Sequence, residues 1–109
     1  MSDNKMAYVK GAGLSKITKK KLKRIAAALR MNESEALRRL IADDAAAVRR
    51  KEKTYMMVRD SGTKTKTCCF RFGDEDMKNL TVLCNYYGTG TEDVIRHLIL
   101  EYYTAHLEE

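Results

Sequence analysis

Apolar residues recur at helical spacing in two stretches of the first half of the chain. The first stripe consists of Leu22, Ile25, Ala26 and Leu29, and the second of Leu37, Leu40, Ile41, Ala45 and Val48. The first predicts a helix from near Thr18 to Arg30. Asn32 is a good N-cap, and Glu35 three residues later completes a box-like start. A second helix is therefore predicted from Asn32 to about Met57.

The second half begins with alternation and then becomes helical. Residues 67–72 place Cys68, Phe70 and Phe72 on one face and Thr67, Cys69 and Arg71 on the other, which predicts a short strand. Gly73 ends it, and the acidic residues 74–76 are typical of a helix start. Two further helices are predicted. The apolar stripe of the first is Met77, Leu80, Leu83, Cys84 and Tyr87, and that of the second is Ile95, Leu98, Ile99 and Tyr102. They are separated by Gly88, and the last continues to about Leu107.

The two halves are diverged copies of one pattern. With an offset of 58 residues, the segment 32–41 aligns with 90–99, and Leu22, Ile25 and Ala26 align with Leu80, Leu83 and Cys84. Each copy contains an extended segment, a helix, a tight turn and a helix, which is too little chain to bury a core alone. We therefore expect one domain, 1–109, built from a first repeat (8–57), a linker (58–66) and a second repeat (67–107).

Positive charge is concentrated in the first third of the chain. Residues 1–31 carry nine Lys/Arg against one Asp, whereas residues 67–109 carry three against eight Asp/Glu. Such a distribution indicates a polyanion partner, nucleic acid before membrane, although a solvated lysine face is the alternative. No apolar run approaches the length that a bilayer needs, and the first ten residues hold no signal-type hydrophobic stretch, so we expect a cytoplasmic protein without a membrane partner.

Nothing in the sequence indicates an enzyme. The three cysteines form no C-x-x-C pair, which predicts reduced thiols, with Cys84 in the core. His97 and His106 are not in the i, i+4 relation, and we expect His97 at the surface. We predict no catalytic residue, no metal and no cofactor.

The segment 70–99 (F-R-F-G-D-E-D-M…L-x-x-L-C…G-T-G-T-E-D-V-I-R-H-L-I) resembles the ribbon–helix–helix DNA-binding family, the MetJ/Arc superfamily. The usual form is a strand like V-R-L-P-x-x-L, a helix, and G-x-S-x-S-E-x-I-R-x-x-I. Residues 30–41 match the second half of that form, with Ser34, Glu35 and Arg38 in place. Two departures are the Gly-rich segment 9–14 and Gly73, which replaces the usual Pro.

The resemblance implies a mostly α fold with a two-stranded antiparallel β-ribbon. In the family two chains contribute one strand each, whereas here strand one (about Tyr8 to Leu14) would lie beside strand two (67–72) within one chain. The protein would be a tandem ribbon–helix–helix monomer, an intramolecular pseudodimer, with double-stranded DNA as partner. A two-stranded ribbon is only marginally stable by itself, so its apolar face (Leu14, Phe70, Phe72) must pack on the helices. The other face would enter the major groove.

The base-reading candidates lie on the face left for DNA. Arg71 could bind guanine O6 and N7 together, or instead pair with Asp74 or Glu75 at the surface. Thr67 could contact a base edge, and Cys69 is either a groove contact or an inert small residue. Two registers are possible for strand one. If it follows the 58-residue alignment, Val9, Gly11 and Gly13 face DNA; if it is shifted by one residue, Lys10 and Ala12 face DNA instead. We expect Lys10 to face DNA, and an asymmetric target site in either case.

Phosphate contacts are expected at the starts of the second helix of each repeat and from part of the basic run, which consists of Lys16, Lys19, Lys20, Lys21, Lys23 and Arg24. The candidates are Asn32, Glu33, Ser34, Gly90, Thr91, Lys16, Lys19 and Lys20.

Single-chain tandem members of the family resemble TraY-like accessory factors of plasmid conjugation or DNA transfer, so this role is the first expectation, with a relaxase or another DNA-processing protein as a further partner. The alternative is a transcriptional repressor or autoregulator, antitoxin types included. A third reading is a helical interaction module whose basic face binds an acidic protein partner. The exposed tail of the last helix, with Tyr102, Tyr103 and His106, could dock such a partner or a second copy of the protein. Further association on DNA is compatible with each DNA-binding reading.

Overall fold

Six elements follow one another along the chain. The computed structural model describes residues 7–52, 57–58 and 62–108. The elements are β1 (Tyr8–Ser15), α1 (Lys16–Leu29), α2 (Glu33–Arg49), β2 (Lys64–Phe72), α3 (Asp74–Tyr87) and α4 (Thr91–His106). The fold is therefore mostly helical with a two-stranded antiparallel sheet, as predicted. None of the helices in the described ranges is both long and apolar enough to cross a membrane.

The two strands pair with each other in a register that sorts their side chains by face. Gly11 lies opposite Cys69, and Ala12 lies opposite Cys68. The inner face consists of Ala12, Leu14, Cys68, Phe70 and Phe72, all buried. Residues directly opposite in an antiparallel pair project to the same side. The remaining face, called the outer face below, is therefore formed by Val9, Gly11, Gly13, Thr67, Cys69 and Arg71.

The core joins the inner face of the sheet to one stripe from every helix. Its largest fully buried apolar side chains are Leu14, Leu22, Ile25, Leu37, Ile41, Phe70, Phe72, Leu80, Leu83, Ile95 and Ile99. Burying one such side chain contributes about 1.5–3 kcal/mol relative to leaving it exposed. The apolar stripes read from the sequence are thus the surfaces that hold the sheet on the helices.

Local capping fixes where the helices begin and end. Asn32 Oδ1 accepts from the Glu35 N–H at 2.8 Å, and Glu35 Oε1 accepts from the Asn32 N–H at 3.2 Å, so the predicted capping box is confirmed. Ser15 caps α1 by accepting from the Thr18 N–H at 3.2 Å, which starts this helix earlier than predicted. Gly88 ends α3 at φ 69°, a left-handed conformation that glycine adopts without strain.

Two predicted boundaries differ from the structure. The second helix ends at Arg49 rather than near Met57, because its apolar stripe stops at Val48 and Lys51 takes a left-handed φ of 60°. Residues 53–56 of the predicted helix lie outside the described residues. The second strand begins at Lys64 rather than 67, so the last part of the predicted linker belongs to the sheet.

His97 is completely buried, so the prediction that it lies at the surface is wrong. Residue 58, which lies outside the helices, contacts the ring of His97: the Val58 N–H donates to His97 Nδ1 at 2.9 Å. His97 Nε2 lies 3.2 Å from the Tyr87 hydroxyl, which donates to Asp44 Oδ2 at 2.8 Å. A helical period cannot reveal a cover supplied by a loop. Cys84, predicted in the core, is half-buried against its edge.

Candidate nucleic-acid interface

The β2 half of the outer face presents three side chains to solvent. Thr67, Cys69 and Arg71 are exposed, on the side predicted for them. Arg71 forms no ion pair with any residue that the structure describes, and the carboxylate of Asp74, its suggested surface partner, instead raises the pKa of the Tyr8 phenol. The guanidinium of Arg71 is therefore available to a ligand.

The β1 half of the outer face is nearly flat. Val9 is 56% exposed there, and Gly11 and Gly13 add no side chain. The expectation that Lys10 faces this side is wrong, because Lys10 lies opposite Phe70 and shares the inner side with it. A one-residue slip would bring Leu14, which is 1% exposed, out of the core. The alignment by 58 residues thus predicted the correct face for strand one.

Space is tight above the glycine at the middle of this flat half, Gly11. A Cβ at Gly11 would lie 3.1 Å from Thr67 Cγ2, tighter than most contacts of that kind. The cross-strand neighbours Thr67 and Cys69 thus use the space that a side chain at Gly11 would need.

Beside β2, an open groove collects predicted base-reading and phosphate-binding residues. This α2 groove is lined by Lys19, Lys23, Asn32, Glu33, Ser34, Arg38, Thr67, Cys69 and Arg71, among others. It unites four phosphate candidates (Lys19, Asn32, Glu33, Ser34) with all three candidates of β2. Lys16 and Lys20 are exposed on α1 and do not line the groove.

Some charge in the α2 groove is compensated internally. Lys19 Nζ lies 2.8 Å from Glu33 Oε1, and this hydrogen bond raises the pKa of Lys19. Lys23 and Arg38 form no ion pair within the described residues. Neither was a predicted contact, although Lys23 belongs to the basic run and Arg38 to the repeated motif.

A smaller cleft, the α4 cleft, lies at the opposite end of the sheet. It is lined by Lys10, Gly11, Gly90, Thr91, Glu92, Asp93 and Arg96. Arg96 approaches Asp93 Oδ1 at 2.6 Å and Glu92 Oε1 at 3.3 Å. Glu92 Oε1 also accepts from the Gly13 N–H at 3.3 Å. The phosphate candidates Gly90 and Thr91 therefore border a cluster that is already ion-paired.

Two arginines that correspond in the sequence repeat make corresponding contacts. Arg38 Nη1 donates to the carbonyl oxygen of Arg71 at 3.0 Å, and Arg96 Nη1 donates to that of Gly13 at 2.7 Å. Arg38 and Arg96 are 58 positions apart, and so are Gly13 and Arg71. The directly paired residues Gly11 and Cys69 have the same separation. Each arginine thus binds the strand of the other repeat.

A further cluster of polar side chains, separate from the outer face, contains two buried residues, Asp44 and His97, and the half-buried Glu101. Ligand-type atoms of Asp44, His97 and Glu101 lie within 4.8 Å of one another. Because His97 Nδ1 accepts from the Val58 N–H, the proton of the neutral ring is on Nε2, which faces the Tyr87 hydroxyl and Glu101. This arrangement is a hydrogen-bond network that joins α2, α3, α4 and residue 58, with no imidazole lone pair directed at the other two ligands.

No protein-family model, curated protein or solved structure matches this chain.

Proposed function

We propose that this protein binds double-stranded DNA at specific sites by placing the outer face of its sheet in the major groove. The observation that carries the proposal is the exposed Arg71, which has no ion-pair partner among the described residues and lies on the face of the sheet opposite the helices. Neighbouring strands are about 4.8 Å apart. A two-stranded ribbon therefore fits a major groove about 12 Å wide, with outward side chains at the base edges.

The repeat relationships support a tandem ribbon–helix–helix pseudodimer. The matched contacts of Arg38 and Arg96, and the pairing of Gly11 with Cys69, are those expected if a twofold axis passes through the middle of the sheet. A single chain then supplies what two chains supply in that family.

The two arms of the ribbon offer different chemistry to DNA. Thr67 and Arg71 can donate hydrogen bonds to bases, whereas Val9, Gly11 and Gly13 offer only a methyl surface and close approach. A target read mainly by one arm is asymmetric. This favours a directional site, as an accessory factor of plasmid conjugation or DNA transfer requires, over the palindromic operator of a repressor.

Selection of bound sites from random duplex DNA tests the proposal. We expect an enriched, non-palindromic sequence whose affinity falls steeply with salt. Arg71→Ala should relax the preference at one guanine, worth about 1–3 kcal/mol of discrimination. Lys23→Ala, in the α2 groove, should weaken all sequences alike. A salt slope near zero, or no enrichment, would reject DNA reading by this face.

A further inference from the structure

The two ends of the ribbon carry different charge. The α2 groove is lined by four cationic side chains (Lys19, Lys23, Arg38, Arg71) and one carboxylate, Glu33. The α4 cleft is lined by two cations, Lys10 and Arg96, and two carboxylates, Glu92 and Asp93. An anionic ligand that spans the sheet would therefore meet net positive charge at one end only.

The 58-residue correspondence shows how the imbalance arises. The counterparts of Lys23 and Arg71 in the other repeat are Thr81 and Gly13, so both charges are lost. The third cation, Arg38, has its counterpart in Arg96, which is a cation too.

Arg96, however, is already bound to groups of the protein itself. Its side chain is 14% exposed and is held by both carboxylates of the α4 cleft. Glu92 also accepts the Gly13 N–H, which places a negative charge beside the strand where a phosphate would approach. Its counterpart at the other end is the neutral Ser34.

We propose that the DNA backbone is held at one end of the ribbon only, by Lys23 and Arg38 along the α2 groove beside the base-reading Arg71, and that the α4 cleft makes no phosphate contact. This inference rests on the proposed function. The phosphate footprint is then displaced from the Gly11–Cys69 pair towards Arg71, rather than centred on that pair.

A matched pair of charge-neutralising variants tests this. Lys23→Gln removes a cation from the α2 groove, and Lys10→Gln makes the same change in the α4 cleft. On the selected duplex, Lys23→Gln should lower the slope of log affinity against log salt by about 0.9, the value for one lost phosphate contact in B-DNA. Lys10→Gln should leave the slope unchanged. Thermal unfolding of both variants controls for folding.

Ethylation interference on the selected duplex supplies an independent readout. Interfering phosphates should lie on one side of the read sequence, and Ser34→Glu, which copies the carboxylate of the α4 end, should weaken binding at least about tenfold.

The outcomes separate the two proposals. Equal loss of slope in both lysine variants, a loss only in Lys10→Gln, or interference on both sides would overturn the one-ended contact while leaving DNA binding intact. Absence of salt-dependent duplex binding by the unaltered protein would reject both proposals.

Discussion

Arg96 donates a hydrogen bond of 2.7 Å to the carbonyl oxygen of Gly13, which ties the last helix to the first strand across 83 residues of sequence. The guanidinium is simultaneously held by Asp93 and Glu92. A planar group with five donors can satisfy a carbonyl and two carboxylates together. The sheet edge is therefore fixed to α4 by a rigid polar contact in addition to apolar packing.

Replacing Arg96 by Ala should lower the free energy of unfolding by about 2 kcal/mol, because charge-assisted hydrogen bonds in a largely buried site are lost. Urea unfolding followed by circular dichroism measures the change. Arg96→Lys should restore only part of it, since one ammonium cannot reproduce the fork. Arg38→Ala is the matched control, and its cost should be smaller because Arg38 binds a carbonyl oxygen and forms no ion pair within the described residues. Equal stability of Arg96→Ala and the unaltered protein would contradict this role.

The stability of the sheet should depend on its inner face. Phe72 is fully buried, and Phe72→Ala should cost about 3–5 kcal/mol, combining the lost transfer free energy with a cavity. Ile17 is 64% exposed on α1, so Ile17→Ala should change stability by no more than about 0.5 kcal/mol. Denaturant midpoints of the two variants provide the comparison. A cost for Phe72→Ala near that of Ile17→Ala would mean that the sheet is not packed on the helices.

The elements and the β2 face could be predicted from periodicity, because buried positions repeat every second residue in a strand and every 3.6 in a helix. Cys68, Phe70 and Phe72 are buried as the alternation indicates. The capping box at Asn32 was predictable for a similar reason, since both of its partners are close in sequence. Local patterns of this kind need no knowledge of distant neighbours.

Other features depend on distant neighbours. The Gly-rich strand one has too few large side chains for alternation to show its buried face; the 58-residue alignment indicated that face, and the pairing with β2 gives the register. His97 is covered by residue 58, and Lys19 is paired with Glu33 from the next helix. The contacts of Arg96 with Gly13 cross nearly the whole chain. Helical and strand periodicity cannot supply the contacts of His97, Lys19 and Arg96, because each partner comes from another part of the chain.

Adding bulk at the centre of the outer face should impair DNA binding more than folding. In Gly11→Val, the new Cβ meets Thr67 Cγ2, and the isopropyl group would hold the ribbon away from the base edges. We expect duplex affinity to fall at least about tenfold for all sequences. Stability should change by no more than about 1 kcal/mol, because valine favours strands. Fluorescence anisotropy and thermal unfolding give the two quantities. Undiminished affinity would place the DNA on another surface.

The buried phenol of Tyr87 should make stability fall in alkaline solution. Burial, reinforced by the hydrogen bond to Asp44, raises the pKa of Tyr87 well above its ordinary value. Above about pH 10, the ordinary tyrosine pKa, the unfolded chain releases this proton and the folded chain retains it. The unfolded state then binds fewer protons, so the free energy of unfolding decreases as pH rises. Below about pH 10 this contribution is fully present.

Tyr87→Phe isolates the effect. The variant should be less stable near neutral pH by about 1–2 kcal/mol, because the hydrogen bond to Asp44 is lost. It should nevertheless lose stability less steeply than the unaltered protein between about pH 10 and pH 11. Urea unfolding at a series of pH values measures both differences. Parallel alkaline slopes for Tyr87→Phe and the unaltered protein would show that Tyr87 ionises normally in the fold, contrary to its burial.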